Sequence, residues 1–368
     1  ALPISGTELY AGDAKKPFKV VHPLLLQGKN TADTDELHAG DIGALSKVDD
    51  LYYGCVLHSD PADAGIVLPR PPYPRPMFGL AIEPARRGDE SRMGEVLQKM
   101  LAEDPTLAVD HDVQLNETVL RGLTEMHVRT VLERMKDQFK LEVTTSAPSV
   151  PYRETIGAAA EGHARHKKQT GGAGQFGEVF LKVEPLPRGA GFEFVDRVKG
   201  GVIPFNLIPA VEKGVREVLA TGYMAGYPIT DIRVTVYDGK SHPVDSKEVA
   251  FVAAGRKAML DALAKAQPQI LEPIVEIAVS APESTMGAIT GDIAARRGQV
   301  QGTDNLAPGV MEIKALVPLS ELTGYAARLH ALTQGAGAFT MDLADYHTVP
   351  AQKAQELASH YQRKDEED

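Results

Sequence analysis

The stretch Thr124–Phe139, TEMHVRTVLERMKDQF, predicts an amphipathic helix and decides the fold class of the region around it. Its apolar residues recur every three or four positions, which places them on one face of an α-helix. They are Val128, Val131, Leu132, Met135 and Phe139. Thr124 stands just before this face and is a suitable N-cap. A second helix pattern of the same kind occupies Asp89–Ala102.

Short strand patterns flank the two helices and complete a known order of elements. They lie at Met77–Ile82, Leu107–Val109, Thr118–Arg121 and Leu141–Thr144. The resulting β-α-β-β-α-β order is that of a ferredoxin-like domain. Residues 270–345 repeat this order, with strands at Pro273–Val279, Gln299–Thr303, Val310–Leu316 and Ala338–Leu343 and helices at Glu283–Arg297 and Leu319–Leu332. We therefore predict two small domains of one architecture.

The remaining segments have other patterns, and together they predict an α+β multidomain protein. Residues 151–268 form an α/β domain, with strands at Gln175–Val183, Phe192–Asp196 and Asp231–Tyr237 and helices at Ile208–Leu219 and Lys247–Ala266. A last helix, 350–362, should pack back on that domain. Residues 1–74 carry short β-like runs such as Lys19–Val21 and Tyr52–Leu57, too few for a closed β-barrel. The predicted domains are thus 1–74, 75–150, 151–268 and 269–345.

Composition limits the classes of function. The 368 residues carry a net charge of −11, which opposes binding along long nucleic-acid duplexes and leaves only local basic patches as phosphate contacts. The single cysteine, Cys55, can form no internal disulfide, and no spacing of His and Cys predicts a metal site. No apolar run approaches the roughly 18 residues of a membrane span. We expect a cytoplasmic protein that contacts no membrane.

One glycine motif raises the alternative of a nucleotide-binding enzyme. Gly172–Gly177, GAGQFG, matches G-x-G-x-x-G, and with Glu178 and Val179 it is similar to the glycine-rich loop of kinases. It opens a strand pattern, whereas the dinucleotide motif opens a helix. The other kinase motifs and the P-loop are missing from the sequence. We predict no catalytic residue, no metal ligand and no cofactor-binding residue in this chain.

Basic residues mark two further places. His163–Lys168, HARHKK, precedes the glycine motif and predicts cations close to a flexible turn. Arg296 and Arg297 end a predicted helix, where cations also compensate the helix dipole. His242 lies in the loop DGKSHPVDS, in which Asp245 or Ser246 should cap the following helix.

Many segments together resemble bacterial elongation factor G, in the family's order and at similar spacing. They are Tyr152–Ile156, Gln169–Gly177 (QTGGAGQFG), Val183–Arg188, Gly200–Pro204, Tyr237–Ser246, Ile270–Pro273, Asp292–Gln299, Val317–Leu319 and Thr333–Gly337. The resemblance implies that residues 1–74 are the end of the domain II barrel. It also assigns 75–150 to domain III, 151–268 to domain IV and 269–345 to domain V.

The resemblance also implies function and sites. Domain IV of the family enters the decoding centre of the ribosome, next to tRNA and mRNA, during translocation. The implied tip contacts with RNA are Lys167, Lys168, Gln169, Gly171, Gly172, Gly174, Gln175, Gly177, Lys240 and His242. Arg296 and Arg297 would contact the ribosome from domain V. GTP and Mg²⁺ are expected to bind to a GTPase domain outside these residues. Besides the ribosome, that GTPase domain would be the second partner of this chain.

Two departures from the family pattern are visible. The tip arginine of the family is Ala173 here, and the family's domain III run appears as Gly122–Arg129, GLTEMHVR. These changes fit a divergent paralogue of elongation factor G. A ribosomal protection or recycling relative is the alternative within translation. An interaction module that does not bind ribosomes is the alternative outside it.

Overall fold

A computed structural model describes residues 3–49, 51–113, 115–168, 174–359 and 361. The chain divides into two compact units, Ala1–Pro148 and Ser149–Asp368.

The first unit begins with two small antiparallel sheets, ordered β2-β1-β6 and β4-β3-β5. Their strands are β1 (Glu8–Ala11), β2 (Phe18–Lys19), β3 (Pro23–Gln27), β4 (Asn30–Asp33), β5 (Gly43–Leu45) and β6 (Leu57–His58). The described residues of 1–74 form no closed barrel. The predicted strand Tyr52–Leu57 is wrong, because Tyr52 and Tyr53 are exposed and Gly54 turns the chain with φ +78°.

The rest of the first unit has the predicted β-α-β-β-α-β order. Its elements are β7 (Phe78–Pro84), α1 (Glu90–Glu103), β8 (Ala108–Asp112), β9 (Glu117–Gly122), α2 (Glu125–Phe139) and β10 (Val143–Ser146). The antiparallel sheet has the strand order β10-β7-β9-β8. Thr124 is the N-cap of α2, since its side chain accepts a hydrogen bond of 3.1 Å from the His127 N–H. The apolar faces of both helices lie in one core with the sheet.

The second unit opens with a mixed sheet covered on one face by two helices. The elements are β11 (Arg153–Ile156), β12 (Ala160–Lys168), β13 (Gln175–Pro185), β14 (Phe192–Asp196), α3 (Ile208–Thr221), β15 (Ile232–Lys240) and α4 (Glu248–Lys265). The sheet order is β12-β13-β15-β14, and only β14 and β15 run parallel. Buried side chains of the sheet pack against α3 and α4 in the largest core of the chain.

The basic run His163–Lys168 lies in a strand, β12, that was not predicted from the sequence. Residues 160–168 pair in register with residues 175–183 of β13. Gly162 and Ala164 face α4, while His163, Arg165 and Lys167 alternate with them on the other face. A side chain at Gly162 would collide with the backbone of Ala258, so the glycine permits a close approach of strand and helix. Because the outward residues are charged, the alternation of inward and outward side chains along β12 was not recognised in the sequence.

The second ferredoxin-like order is also present. Its elements are β16 (Pro268–Pro282), α5 (Met286–Ala295), β17 (Gln299–Ala307), β18 (Val310–Pro318), α6 (Tyr325–Thr333), β19 (Ala338–Thr348) and, after it, α7 (Ala351–Ser359). Strands follow the order β19-β16-β18-β17, which matches the order in the first unit. β11 pairs with β16 at residues 268–271 and therefore belongs to this second sheet. The predicted helix Leu319–Leu332 is interrupted, because Gly324 adopts φ +71°.

A small core holds the junction inside the second unit. It contains Tyr152, Ile270 and Val349. Met224 and, from α7, Leu357 pack beside them. Glu154 of β11 is buried there. None of the helices in the described part of the chain is long and apolar enough to cross a membrane.

Candidate nucleic-acid interface

Three strand ends converge at one end of the sheet that carries β12, β13 and β15. Lys168 lies opposite Gln175 at the ends of β12 and β13. Lys240, at the end of β15, lies opposite Glu178. The turn 241–246 follows directly. We call the described residues of this region, 166–168, 174–177 and 240–246, the tip.

Hydrogen bonds join the two segments of the tip, although they are far apart in sequence. The Phe176 N–H donates to the carbonyl of Asp245 at 2.9 Å, and the Ser246 hydroxyl donates to the carbonyl of Phe176 at 2.8 Å. The His242 N–H in turn donates to the Ser246 hydroxyl at 2.8 Å. Ser246 is therefore engaged within the tip and does not cap α4, whose N-cap is Lys247.

Two predicted glycines sit where the backbone packs closely. A Cβ at Gly174 would lie 2.7 Å from the Asp245 carboxylate, and one at Gly177 would lie 3.0 Å from the carbonyl of Ala250 in α4. Gly177 is buried and Gly174 is partly exposed. Gly177 thus serves the packing of β13 on α4. Gly174 keeps the chain close to the turn.

His242 has one ring nitrogen engaged inside the turn. Its Nδ1 accepts hydrogen bonds from the N–H groups of Val244 and Asp245 at 3.4 and 3.3 Å, which places the proton of the neutral ring on Nε2. The Asp245 carboxylate also lies 3.3 Å from Nδ1, and in the charged ring both nitrogens donate, so Nε2 is a donor in either state. The edge of the ring faces Phe176, with 6.3 Å between centroids, and the side chain is 51% exposed. His242 can therefore offer a donor to a ligand at the tip.

The cations of the tip are exposed. Lys167, Lys168 and Lys240 lie on the surface, and none forms an ion pair with a residue that the structure describes. Gln175 is half-buried, and its Oε1 lies 3.0 Å from the His166 Nε2. The predicted contacts Gln169, Gly171 and Gly172, together with Ala173, lie outside the described residues. Contact of all these residues with RNA stays a prediction.

Arg296 and Arg297 lie in the other domain of this unit and are held by carboxylates. Arg297 makes a bidentate pair with Glu272 at 2.7 and 2.8 Å, and its guanidinium also donates to Glu321 at 2.9 Å. The hydrogen bonds from Arg297 to Glu272 raise the pKa of Arg297 above its ordinary value. Arg296 donates to Asp292 at 2.8 Å and lies over the ring of Tyr325. Both arginines therefore stabilise the end of α5.

The same network reaches α7. Lys353 donates to the Ser320 hydroxyl at 2.7 Å and to Glu321 at 3.3 Å. Burial acts to raise the pKa of Glu321, but hydrogen bonds from Arg297 and Lys353 hold it below its ordinary value. The described residues hold no group of three or more His, Cys, Asp or Glu side chains that could bind a metal ion.

Sequence reasoning missed several residues beside the tip. Phe176 and Phe180 point away from the helices, and Arg165 and His163 of β12 cover them. Had the alternation of Gly162 and Ala164 with charged residues been counted as a strand period, these pairs could have been predicted.

Comparison with known proteins agrees with this architecture. Three family models match: elongation factor G domain III over residues 73–147, domain IV over 148–267 and the C-terminus over 269–357. The chain belongs to the elongation factor G family. A protein of Thermus thermophilus with a known crystal structure is 36% identical to this elongation factor G-like chain, with a TM-score of 0.81. The match covers 98% of this chain and 53% of that protein, so the chain spans about half its length.

Proposed function

We propose that this chain is the ribosome-binding part of a longer, cytoplasmic factor that moves tRNA and mRNA in translation elongation. Membership of the elongation factor G family supports a role in elongation. In this proposal the tip enters the decoding centre beside tRNA and mRNA. GTP and Mg²⁺ would bind to a GTPase domain elsewhere in the factor, and this chain would perform no bond chemistry.

The observation that carries the proposal is the assembly of the tip. Two segments about 70 residues apart are joined by the bonds between Phe176 and the turn 242–246. Three lysines stand exposed on this end of a chain whose net charge is −11. A local cluster of cations in an acidic protein favours a focal phosphate contact over general adhesion to nucleic acid.

The tip residues have separate roles in the proposal. Lys167, Lys168 and Lys240 would contact phosphates. Gln175 offers an amide, and His242 offers the Nε2–H donor, both suited to base or sugar edges. The glycines Gly174 and Gly177 let the backbone pack closely, which keeps the tip narrow enough for a crowded site.

For Arg296 and Arg297, a direct contact with the ribosome would require their present partners to be exchanged. Their side chains already donate to Asp292, Glu272 and Glu321, so a phosphate would have to compete with carboxylates held in place. We propose that they act mainly by stabilising the domain whose surface meets the ribosome.

The test is tRNA movement on a pre-translocation ribosome by the full-length factor with its GTPase domain. The double variant Gln175→Ala/His242→Ala should slow movement about tenfold or more, or about 1.4 kcal/mol of barrier. Its melting temperature should not change, because substitutions at exposed loop positions usually stay within about 0.5 kcal/mol.

A matched control is Lys199→Ala, an exposed residue of the same domain outside the tip, which should move tRNA at the unsubstituted rate. A double variant as fast as the unsubstituted factor would refute the role of the tip. If the unsubstituted factor moves no tRNA, translocation is refuted. The alternative function would then be that of a ribosomal protection or recycling factor. The departures from the family pattern at Ala173 and Gly122–Arg129 are compatible with it.

A further inference from the structure

The face of the domain IV sheet that lies opposite α3 and α4 carries a row of planar side chains. His163, Arg165 and Lys167 project from β12, and Phe176, Glu178 and Phe180 project from β13 beside them. Tyr237 and Lys240 of β15 lie on the other side of β13. We call this set the aromatic face, and it is continuous with the tip at Phe176 and Lys240.

The rings of the aromatic face are ordered by stacking, not by burial in a core. His163 stacks on Phe180 with 4.0 Å between centroids and 15° between planes. The guanidinium of Arg165 lies 5.2 Å above the centroid of Phe176. Tyr237 lies 6.3 Å from Phe180. Phe176, Phe180 and Tyr237 are each only partly buried, although aromatic rings usually pack away from water.

Charge on the aromatic face complements phosphate. Arg165, Lys167 and Lys240 are exposed, and within the described residues none of them has an ion pair. Among the carboxylates of this face, Glu178 is 17% exposed and lies 2.9 Å from the Nε2 of His163, so its negative charge is partly shielded from a ligand above the sheet. Two exposed carboxylates lie farther from the tip: Glu161 accepts a hydrogen bond of 3.3 Å from the Tyr237 hydroxyl, and Asp238 lies opposite Phe180. The exposed cations therefore lie at the end of the face next to the tip, in a chain with a net charge of −11.

We propose that the aromatic face binds single-stranded RNA. Unpaired bases would stack on the Arg165–Phe176 and His163–Phe180 pairs, and Lys167 and Lys240 would contact the phosphates. Exposed aromatic rings on a sheet commonly hold two or three stacked bases of single-stranded RNA, and guanidinium planes also accept them. This rests on the proposed function and deepens it, because it extends the RNA contact from the tip along the sheet.

The same features disfavour duplex RNA as the occupant. Bases in a duplex are stacked on each other and offer no free face to the Arg165–Phe176 and His163–Phe180 pairs, so only the lysines could contribute. In comparable sites, removal of one aromatic side chain on which a base stacks weakens RNA binding roughly fivefold to a hundredfold.

The experiment measures binding of a fluorescently labelled single-stranded RNA of about ten nucleotides to the 368-residue chain by anisotropy at low salt. Phe176→Leu and Phe180→Leu should each weaken binding about tenfold, because leucine keeps apolar bulk and loses the flat ring. The control is Phe205→Leu, which removes a ring that is 87% exposed in the same domain but off this face. It should bind as the unsubstituted chain does.

A further variant leaves both phenylalanine rings in place and changes the side chain that covers Phe176. Arg165→Gln should weaken binding about tenfold, because the guanidinium plane on which a base would stack is lost. Circular dichroism melting should give the same transition for all four variants. The inference is overturned if the chain binds no single-stranded RNA or binds a duplex of equal length as well. Equal binding by the Phe176, Phe180 and Arg165 variants would overturn it too.

Failure of this inference can be told apart from failure of the proposed function. If ribosomes sediment with the chain while the short RNA does not bind, the aromatic face is refuted and the ribosome role stands. If neither binds, both are refuted.

Discussion

Two pairs of cations in this chain look alike in sequence and differ in structure. Lys167–Lys168 end a strand, Arg296–Arg297 follow a helix, and each pair precedes a glycine within three residues. The lysines lie exposed at the tip and have no ion pair within the described residues. Arg297 is bound by Glu272 and Glu321, which are 25 and 24 residues away along the chain. Distant carboxylates therefore decide whether a basic pair is available to a ligand.

The chemistry of the side chains fits these two roles. The planar guanidinium of Arg297 offers parallel donors to both oxygens of Glu272, which lies at 3% side-chain exposure and needs a partner. Lysine offers a compact charge on a flexible stem, which suits phosphates that arrive and leave. The comparison teaches that a rigid pair stabilises the fold while a free pair can bind, and each prediction below tests one side of it.

The largest effect on stability is expected where a buried charge has the most partners. Glu154 is 1% exposed and accepts hydrogen bonds from the N–H groups of Tyr223, Met224, Ala225 and Tyr227 at 2.7 to 3.2 Å. Glu154→Ala leaves these four donors without their acceptor. We expect the free energy of unfolding of the second unit to fall by about 3–5 kcal/mol.

Urea unfolding measures this change. The control is Glu193→Ala, which removes an exposed carboxylate from the same unit, and it should keep the midpoint of the unsubstituted chain. Equal midpoints for the Glu154 and Glu193 variants would show that the buried junction contributes little.

A smaller effect is expected at the arginine network. Glu272→Gln removes the charge that faces Arg297 but keeps the shape of the side chain. Arg297 is 34% exposed and keeps Glu321 as a partner. We therefore expect the free energy of unfolding to fall by about 2 kcal/mol, less than the roughly 3–5 kcal/mol expected when a fully buried ion pair is broken. Thermal unfolding of this chain measures it. An unchanged transition would mean that Arg297 is as free as the tip lysines.

The third effect appears only in acid. Burial acts to raise the pKa of Asp292, but hydrogen bonds from Arg296 and Arg328 hold it below its ordinary value. A carboxylate with a lowered pKa stabilises the fold fully above its unfolded value, and this contribution is lost as the pH falls through the folded value. Stability should therefore decline below about pH 4.

The variant Asp292→Asn tests the source of that decline. It should be less stable at neutral pH and show a shallower loss of stability in acid. The exposed Asp304 gives the control Asp304→Asn, which should follow the unsubstituted pH curve. If the Asp292 variant declines as steeply as the unsubstituted chain, other carboxylates cause the acid effect.

Much of the architecture could be predicted from sequence, because its helices are amphipathic and its strands short. The apolar spacing of Thr124–Phe139 predicted α2 and its N-cap. The repeated order of elements predicted both ferredoxin-like sheets, which share one strand order. These features depend on local periodicity, which a single sequence displays.

Other features could not be predicted because they depend on distant partners. Strand β12 was missed, since its outward residues are charged and the register with β13 is set by tertiary packing. The family resemblance indicated the tip residues, but only the structure brings 174–177 against 242–246. The same resemblance offered Arg296 and Arg297 as ribosome contacts, and no local signal indicated Glu272 as a partner.

Substitutions at the tip should change stability least and ribosome binding most. The triple variant Lys167→Gln/Lys168→Gln/Lys240→Gln should keep the free energy of unfolding within about 0.5 kcal/mol, because its residues are exposed. Arg296→Gln is the matched change on the other side of the comparison, checked for folding by its melting curve.

The most direct measurement is co-sedimentation of the chain with ribosomes over a range of salt concentrations. For three lost phosphate contacts, the triple variant should lower the log–log salt slope by about 2, at about 0.7 for each contact with single-stranded RNA. Folded Arg296→Gln should keep the slope of the unsubstituted chain. An unchanged slope in the triple variant, or an equal fall in the Arg296 variant, would contradict the claim that the tip carries the available charge.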